Sequence, residues 1–125
     1  MAAIISQKFA QECKAKLQQV KMDILNRVRE ARQHLDAEDR VGGDEADQTV
    51  RVLAEADFVT MHDRLRSQLL EIESALARIE NGSYGLCEET EEPIELERLR
   101  AIPWTRLSIE GAEIRESFNR RYARG

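Results

Sequence analysis

The chain has 125 residues, of which 34% are charged and 5% are aromatic, and its formal net charge is -5. This length suits one modest domain, or a long helical element with a small globular piece. Because aromatic residues are scarce, the composition favours helices over a large compact core. An acidic chain lacks the basic footprint that tight binding to nucleic acid requires, so we expect a protein partner and no direct contact with DNA or RNA.

The composition also bears on the compartment. No apolar run approaches the ~20 residues of a membrane span, and the N-terminal residues lack the pattern of a signal peptide. Cys13 and Cys87 are the only cysteines and lie in unrelated surroundings, which argues against a disulfide framework and suits a reducing compartment. We therefore expect a cytoplasmic protein without a membrane partner.

The first third of the chain has a helical apolar pattern. Between residues 5 and 35 the apolar side chains recur every three or four positions, with polar side chains between them and no proline or glycine to interrupt the helix. Such a helix buries one stripe only and needs a partner helix. The stripe consists of Phe9, Cys13, Leu17, Val20, Ile24, Val28, Ala31 and Leu35.

A second helix with a heptad pattern follows a predicted turn at residues 36–43. It runs over residues 44–80, and its seam carries Phe58, Leu65, Ile72 and Ile79 at intervals of seven, with Leu69 and Leu76 between them. Two long helices joined by a short loop predict an antiparallel coiled-coil hairpin. We assign residues 1–82 to this hairpin, with an acidic tip near residues 36–47.

Residues 83–125 predict a small second domain. Gly82 stops the second helix, because glycine adopts the left-handed conformation without steric cost. We expect short strands at 84–87 and 105–109, and helices at 94–101 and 110–124. Trp104 is the predicted core residue, and Arg98 and Arg100 are expected to pair with the glutamates between 88 and 92. The fold class is therefore mostly α.

The small domain has the spacing of a zinc knuckle. Cys87 and Thr90 are separated by two residues, Ser108 and Gly111 by two, and the pairs by seventeen. Cysteines at all four positions would be a strong signature of structural zinc. Because only Cys87 is a thiol, we expect no zinc and no other metal. Cys87 itself is a redox-sensing thiol, a lone metal ligand or a partly buried remnant, and the sequence leaves all three interpretations open.

Three runs of sequence resemble the DksA/TraR family of bacterial transcription regulators. They are ALARIENGSYGLC ending at Cys87, RLRAIP ending at Pro103 and LSIEG ending at Gly111. Asp44 and Asp47 also fit the D-x-x-D pair at the tip of the family's coiled coil. The resemblance implies a monomeric regulator that is not an enzyme. Such a regulator binds in the secondary channel of RNA polymerase and modulates initiation without binding DNA.

The resemblance also implies roles for single residues. Asp44 and Asp47 would lie near the polymerase catalytic centre, and Thr49 stands where the family commonly has alanine. Members that respond to guanosine tetraphosphate place basic side chains at positions matching Glu71, Ile102 and Ala112. None of these is basic, so the resemblance gives no support to alarmone dependence. Without the resemblance, Asp44 would be read as a helix cap and Asp47 as a partner of the helix dipole.

Two other functions remain open at this point. A Gre-type transcript-cleavage factor also projects acids from a coiled-coil tip, where they would help to hold a second magnesium ion. A plain helical scaffold that binds other proteins through its coiled coil belongs to a different class. A hydrolytic enzyme is disfavoured because no nucleophile and base can be paired. His34 and His62 lie on different helices without an acid-base partner, so we read both as structural.

Overall fold

The computed structural model describes the backbone of residues 5–40 and 45–123, and the side chains of residues 5–37 and 48–123. Four α-helices make up most of it. They are α1 (Gln7–Arg40), α2 (Glu45–Asn81), α3 (Leu96–Ala101) and α4 (Ile109–Ala123). The predicted mostly α fold, with a long helical hairpin followed by a small domain, is confirmed. No helix within the described residues is both long and apolar enough to cross a membrane.

The long helices differ from the prediction mainly at the end of α1. Residues 36–40 were expected to form a turn, but α1 continues through Arg40. This segment contains no glycine or proline, and acidic residues alone do not stop a helix. At the other end of the hairpin, α2 stops where predicted. Gly82 has a φ of 83°, and Ser83 N donates to Arg78 O at 3.0 Å, which closes the last turn.

One compact unit combines residues up to Gln18 with those from Glu71 onward. The N-terminal part of α1, the C-terminal part of α2 and the small domain therefore share one core. Its buried residues come from all three parts: Ile5, Phe9, Cys13, Leu17, Ile72, Ala75, Tyr84, Cys87, Ile94 and Leu99. Arg100 also stacks over the Phe9 ring, with 5.2 Å between the guanidinium carbon and the ring centroid.

The second compact unit comprises Gln19–Leu70. Among the side chains described in this unit, Ile24 and Leu65 are the buried ones. Farther toward the tip, Phe58 is half-buried and contacts Arg32, whose guanidinium carbon lies 5.7 Å from the ring centroid. The His62 ring lies 5.8 Å from the same ring. These contacts agree with a structural role for His62.

The two predicted strands do not form among the described residues. At 84–87 a single antiparallel bridge pairs Leu86 with Pro93. A longer ladder is blocked there because proline has no N–H to donate. At 105–109 the polar groups close local turns instead, since Thr105 N donates to Ile102 O at 3.0 Å and Leu107 N donates to Thr105 Oγ1 at 3.2 Å.

The core of the small domain is centred on different residues from the one predicted. Trp104 is only half-buried, whereas Leu99 and Pro103 beside it are fully buried. Pro103 O accepts a hydrogen bond of 2.7 Å from the buried Tyr84 hydroxyl. This bond fixes the turn before Trp104, and it gives Pro103 the interior position expected of the tryptophan.

Leu99→Ala should destabilise the protein by about 2–5 kcal/mol, because it removes a fully buried side chain and leaves a cavity. Leu96→Ala on the same helix is the matched control. Leu96 is 51% exposed, so its loss should cost no more than about 0.5 kcal/mol. Urea unfolding of both variants measures the difference, and equal losses would contradict the assignment of Leu99 to the core.

Candidate functional site

The four knuckle positions converge on the Cys87 sulfur. Ser108 Oγ donates to Cys87 Sγ at 3.4 Å and accepts from Gly111 N at 3.0 Å. Cys87 and Ser108 are both buried. Thr90 lies on the turn after Cys87, where its hydroxyl accepts a hydrogen bond of 3.2 Å from Glu92 N. The spacing read from the sequence therefore corresponds to one cluster in space.

Backbone hydrogen bonds hold the turn that carries Cys87. Cys87 N donates to Glu92 O at 2.9 Å, and Glu91 N donates back to Cys87 O at 3.0 Å. Glu91 has a φ of 61°, in the left-handed region that non-glycine residues seldom adopt. Glu88 N donates to Arg106 O at 2.9 Å and so ties this turn to the segment before α4.

The residues present do not fit a structural zinc ion. Such an ion needs four thiolate or imidazole ligands at about 2.0–2.3 Å, and here two positions offer neutral hydroxyls and one offers no side chain. Space is also lacking, because a Cβ built on Gly111 would overlap Cys87 Sγ and lie 3.3 Å from Ser108 Oγ. Among the described residues, no group of three or more His, Cys, Asp or Glu could hold a metal.

The thiol itself is electrostatically unusual. Burial raises the pKa of Cys87, but hydrogen bonds from the side chains and backbone of Ser108 and Thr90 lower it by more, so that the pKa is about 6. A thiol near pKa 8.5 in an unfolded chain would thus be a thiolate at neutral pH here. Ser108, which donates to the sulfur, stands at one of the four knuckle positions.

Arg106 joins the knuckle to α2. Its guanidinium forms an ion pair of 2.8 Å with Glu71 on α2 and another of 2.8 Å with Glu88. A third hydrogen bond of 2.9 Å goes to Ser74 Oγ. Hydrogen bonds to Glu71 and Glu88 raise the pKa of Arg106. Arg78, one turn beyond Ser74, donates to the same hydroxyl at 2.8 Å.

This pairing corrects the ion pairs expected from the sequence. Arg106 forms an ion pair with Glu88, and Arg115 forms one of 3.1 Å with Glu89. Arg98 instead donates to Leu107 O at 2.8 Å, and Arg100 lies over Phe9. Sequence reasoning missed Arg106, although its place two residues before Ser108 could have drawn attention to it.

The predicted tip residues are only partly described. Asp44 and the side chain of Asp47 lie outside the described residues. Thr49 lies on α2 with an exposed side chain. The role of these three residues therefore stays a prediction.

Comparisons with known proteins agree on one group. A sequence model of the prokaryotic dksA/traR C4-type zinc finger matches residues 82–117. The RNA polymerase-binding transcription factor DksA of Caulobacter vibrioides is 41% identical over 107 residues, which cover 86% of this chain and 75% of that protein.

Solved structures give the same answer. Transcription factor DksA2 from Pseudomonas aeruginosa matches with a TM-score of 0.85 at 30% identity, covering 96% of this chain and 92% of that chain. The RNA polymerase binding protein and transcriptional regulator Dks from Chlamydia trachomatis matches with a TM-score of 0.52 at 20% identity, which supports the fold alone.

Proteins with a helical hairpin and a four-position knuckle form a class of zinc-finger proteins. This chain is a variant of that class, with a cysteine at one of the four knuckle positions. The chain belongs to the DksA/TraR family. The resemblance read from the three sequence runs is confirmed.

The purified protein should contain no stoichiometric zinc, because three of the four knuckle positions lack a thiol and Gly111 approaches the remaining sulfur closely. Elemental analysis would measure this, and a chelator should leave the circular dichroism unchanged. Wild-type protein mixed with one equivalent of zinc before the measurement provides the control, since recovery of that zinc verifies the detection. One zinc per wild-type chain would contradict the prediction.

Stability should rise with pH from about 6 to about 8.5. The folded pKa of Cys87 is about 6 and lies below the unfolded value of about 8.5. The stabilisation is therefore complete above the unfolded pKa and is lost as the pH falls through the folded pKa. Urea unfolding across this range should give a positive slope for the wild type.

Cys87→Ser is the matched variant, because it keeps a small polar side chain but does not titrate in this range. Its free energy of unfolding should show a smaller pH slope than that of the wild type. Identical slopes would mean that the thiol is not ionised in the folded protein.

Proposed function

We propose that the chain binds RNA polymerase through the secondary channel of the enzyme and modulates transcription initiation without contacting DNA. The observation that carries the proposal is the similarity to DksA, which spans both the hairpin and the small domain and covers 86% of the chain. The relative is named as an RNA polymerase-binding transcription factor. The net charge of -5 supports a protein partner in preference to nucleic acid.

The hairpin supplies the reach and the docking area that the proposal requires. α2 has 37 residues, and a helix of this size is about 55 Å long. Exposed aliphatic side chains occur along both helices, including Met22, Val52, Val59 and Leu70. These side chains offer contact area to a protein wall, while the tip offers charge at one point. Affinity would therefore come from the helix sides and the small domain.

The regulatory effect would come from the tip. Asp44 and Asp47 would lie near the polymerase catalytic centre and favour one state of the polymerase–promoter complex over another. A ligand shifts such an equilibrium only by its difference in affinity for the two states. The chain would act in this way without catalysing a reaction itself, in the cytoplasm, where the polymerase works.

We further propose that neither zinc nor guanosine tetraphosphate is needed. The knuckle lacks the ligands for zinc, as described above. Of the three positions where responsive relatives carry basic side chains, Glu71 is acidic and is held by Arg106 at 2.8 Å, while Ile102 and Ala112 are half-buried. None of them offers a positive charge to a phosphate.

Asp47→Asn should leave the affinity for polymerase nearly unchanged but remove most of the effect on a responsive promoter. The substitution keeps the shape of the side chain and deletes one charge in the first turn of α2. Stability should fall by no more than about 1 kcal/mol. Asp44→Asn should behave in the same way. Binding would be measured directly with purified polymerase, and regulation by transcription in vitro at saturating protein.

Asp63→Asn is the control, because it removes the same charge from an exposed position of α2 about 24 Å from Asp47 along the helix. It should regulate like the wild type. Thr49→Ala, which restores the residue common in the family, should strengthen regulation. If Asp47→Asn regulates as well as the wild type, the two acids act only as helix caps. Failure to bind polymerase at all would instead refute the proposed partner.

A further inference from the structure

From Ile114 onward, α4 has an apolar stripe that no other described part of the chain covers. Every residue from 116 to 123 is exposed. Ile114, Phe118 and Tyr122 are spaced by four and so lie along one side of the helix. They are 43%, 57% and 72% exposed, and the Phe118 and Tyr122 ring centroids are 4.6 Å apart. Clustered apolar exposure of this kind marks an interaction surface.

Unpaired charges lie beside the stripe. Arg115 pairs with Glu89 at 3.1 Å, and Arg120 pairs with Glu116 at 2.6 Å. Among the described residues, however, no ion pair engages Glu110 or Glu113 near the start of α4, or Arg121 near its end. A shallow groove of about 540 Å³ is lined by both kinds of side chain and by the stripe: Glu110, Glu113, Ile114, Ser117, Phe118 and Arg121.

We propose that this face binds the same face of a second copy of the chain, with the two α4 helices antiparallel about a two-fold axis. Such an interface requires a patch that complements itself. Antiparallel pairing brings Glu110 of one copy opposite Arg121 of the other, and Ile114 opposite Phe118. The first pair is centred between residues 115 and 116 and the second at residue 116, which is about 0.75 Å apart along the helix, so one register brings both pairs within contact distance.

A second copy fits this face better than a uniformly basic or acidic partner. The occupant must offer a positive charge at one end, apolar side chains in the middle and a negative charge at the other end. The antiparallel α4 of another copy offers all three in the required order. Because a single short helix buries less than the usual ~800 Å² per partner, the dimer is weak, with a dissociation constant of about 10–100 µM. This departs from the monomer expected from the sequence.

Sedimentation velocity on the full chain, from about 5 µM to about 500 µM, tests the proposal in the range where a weak dimer dissociates. The wild type should shift from monomer to dimer as the concentration rises. Phe118→Ser should raise the dissociation constant at least about tenfold, as expected for a central aromatic residue. Leu96→Ser, which alters a similarly exposed apolar side chain on α3, should leave it unchanged.

Charge reversal tests the antiparallel register. Glu110→Arg and Arg121→Glu should each abolish the dimer, because each places like charges opposite one another at both ends of the interface. An equimolar mixture of the two variants should dimerise again, since opposite charges then face each other at both ends. Circular dichroism would verify that each variant is folded.

Two outcomes would overturn the proposal. One is a wild type that stays monomeric up to about 500 µM, well above the concentrations at which specific interfaces form. The other is a mixture of the charge variants that fails to associate. If the wild type is monomeric and Phe118→Ser weakens binding to polymerase, the face belongs to that contact and the dimer is refuted.

Discussion

The small domain depends on how closely the start of α4 approaches the Cys87 sulfur. Gly111 lies so near the thiol that a Cβ there would overlap it, and Ser108 bridges the two with hydrogen bonds of 3.4 Å and 3.0 Å. This contact fixes where α4 begins. The segment that enters α4 then places the Arg106 side chain within reach of Glu71 on α2. Changing residue 111 alone would therefore disturb more than a local turn.

The contact also explains how a knuckle with a single thiol can hold its shape. Structural zinc contributes about 10–16 kcal/mol of apparent binding energy to zinc-finger peptides. Here the small domain belongs to the same compact unit as the ends of α1 and α2, so its apolar side chains join a larger core that contains Phe9, Leu17 and Ile72. The Tyr84 hydroxyl is satisfied inside that core by Pro103 O at 2.7 Å. Burial and directed hydrogen bonds thus act where a metal would otherwise cross-link the chain.

The sequence was informative where one periodic pattern decides the structure. The heptads of α2 and the apolar stripe of α1 predicted the hairpin, because each helix has one face to bury. It was less informative where several local choices compete. The prediction of strands near Leu86 and Thr105 was wrong, because proline and hydroxyl groups redirect the backbone hydrogen bonds there. Trp104 was a reasonable core residue by size, but the neighbouring Pro103 occupies the interior.

The candidate site shows the same division. The paired spacing around Cys87 predicted a degenerate knuckle, and in the structure Ser108 and Gly111 lie against the Cys87 sulfur. Nothing in the spacing revealed that Arg106 would bind two glutamates and a serine, since that depends on how the chain turns between α3 and α4. In relatives with four cysteines, folding of this domain is linked to zinc and to the deprotonation of its ligands. Here one thiol remains, so the linkage reduces to a single proton. The stability of this small domain would then depend on pH between the folded Cys87 pKa of about 6 and the unfolded value of about 8.5.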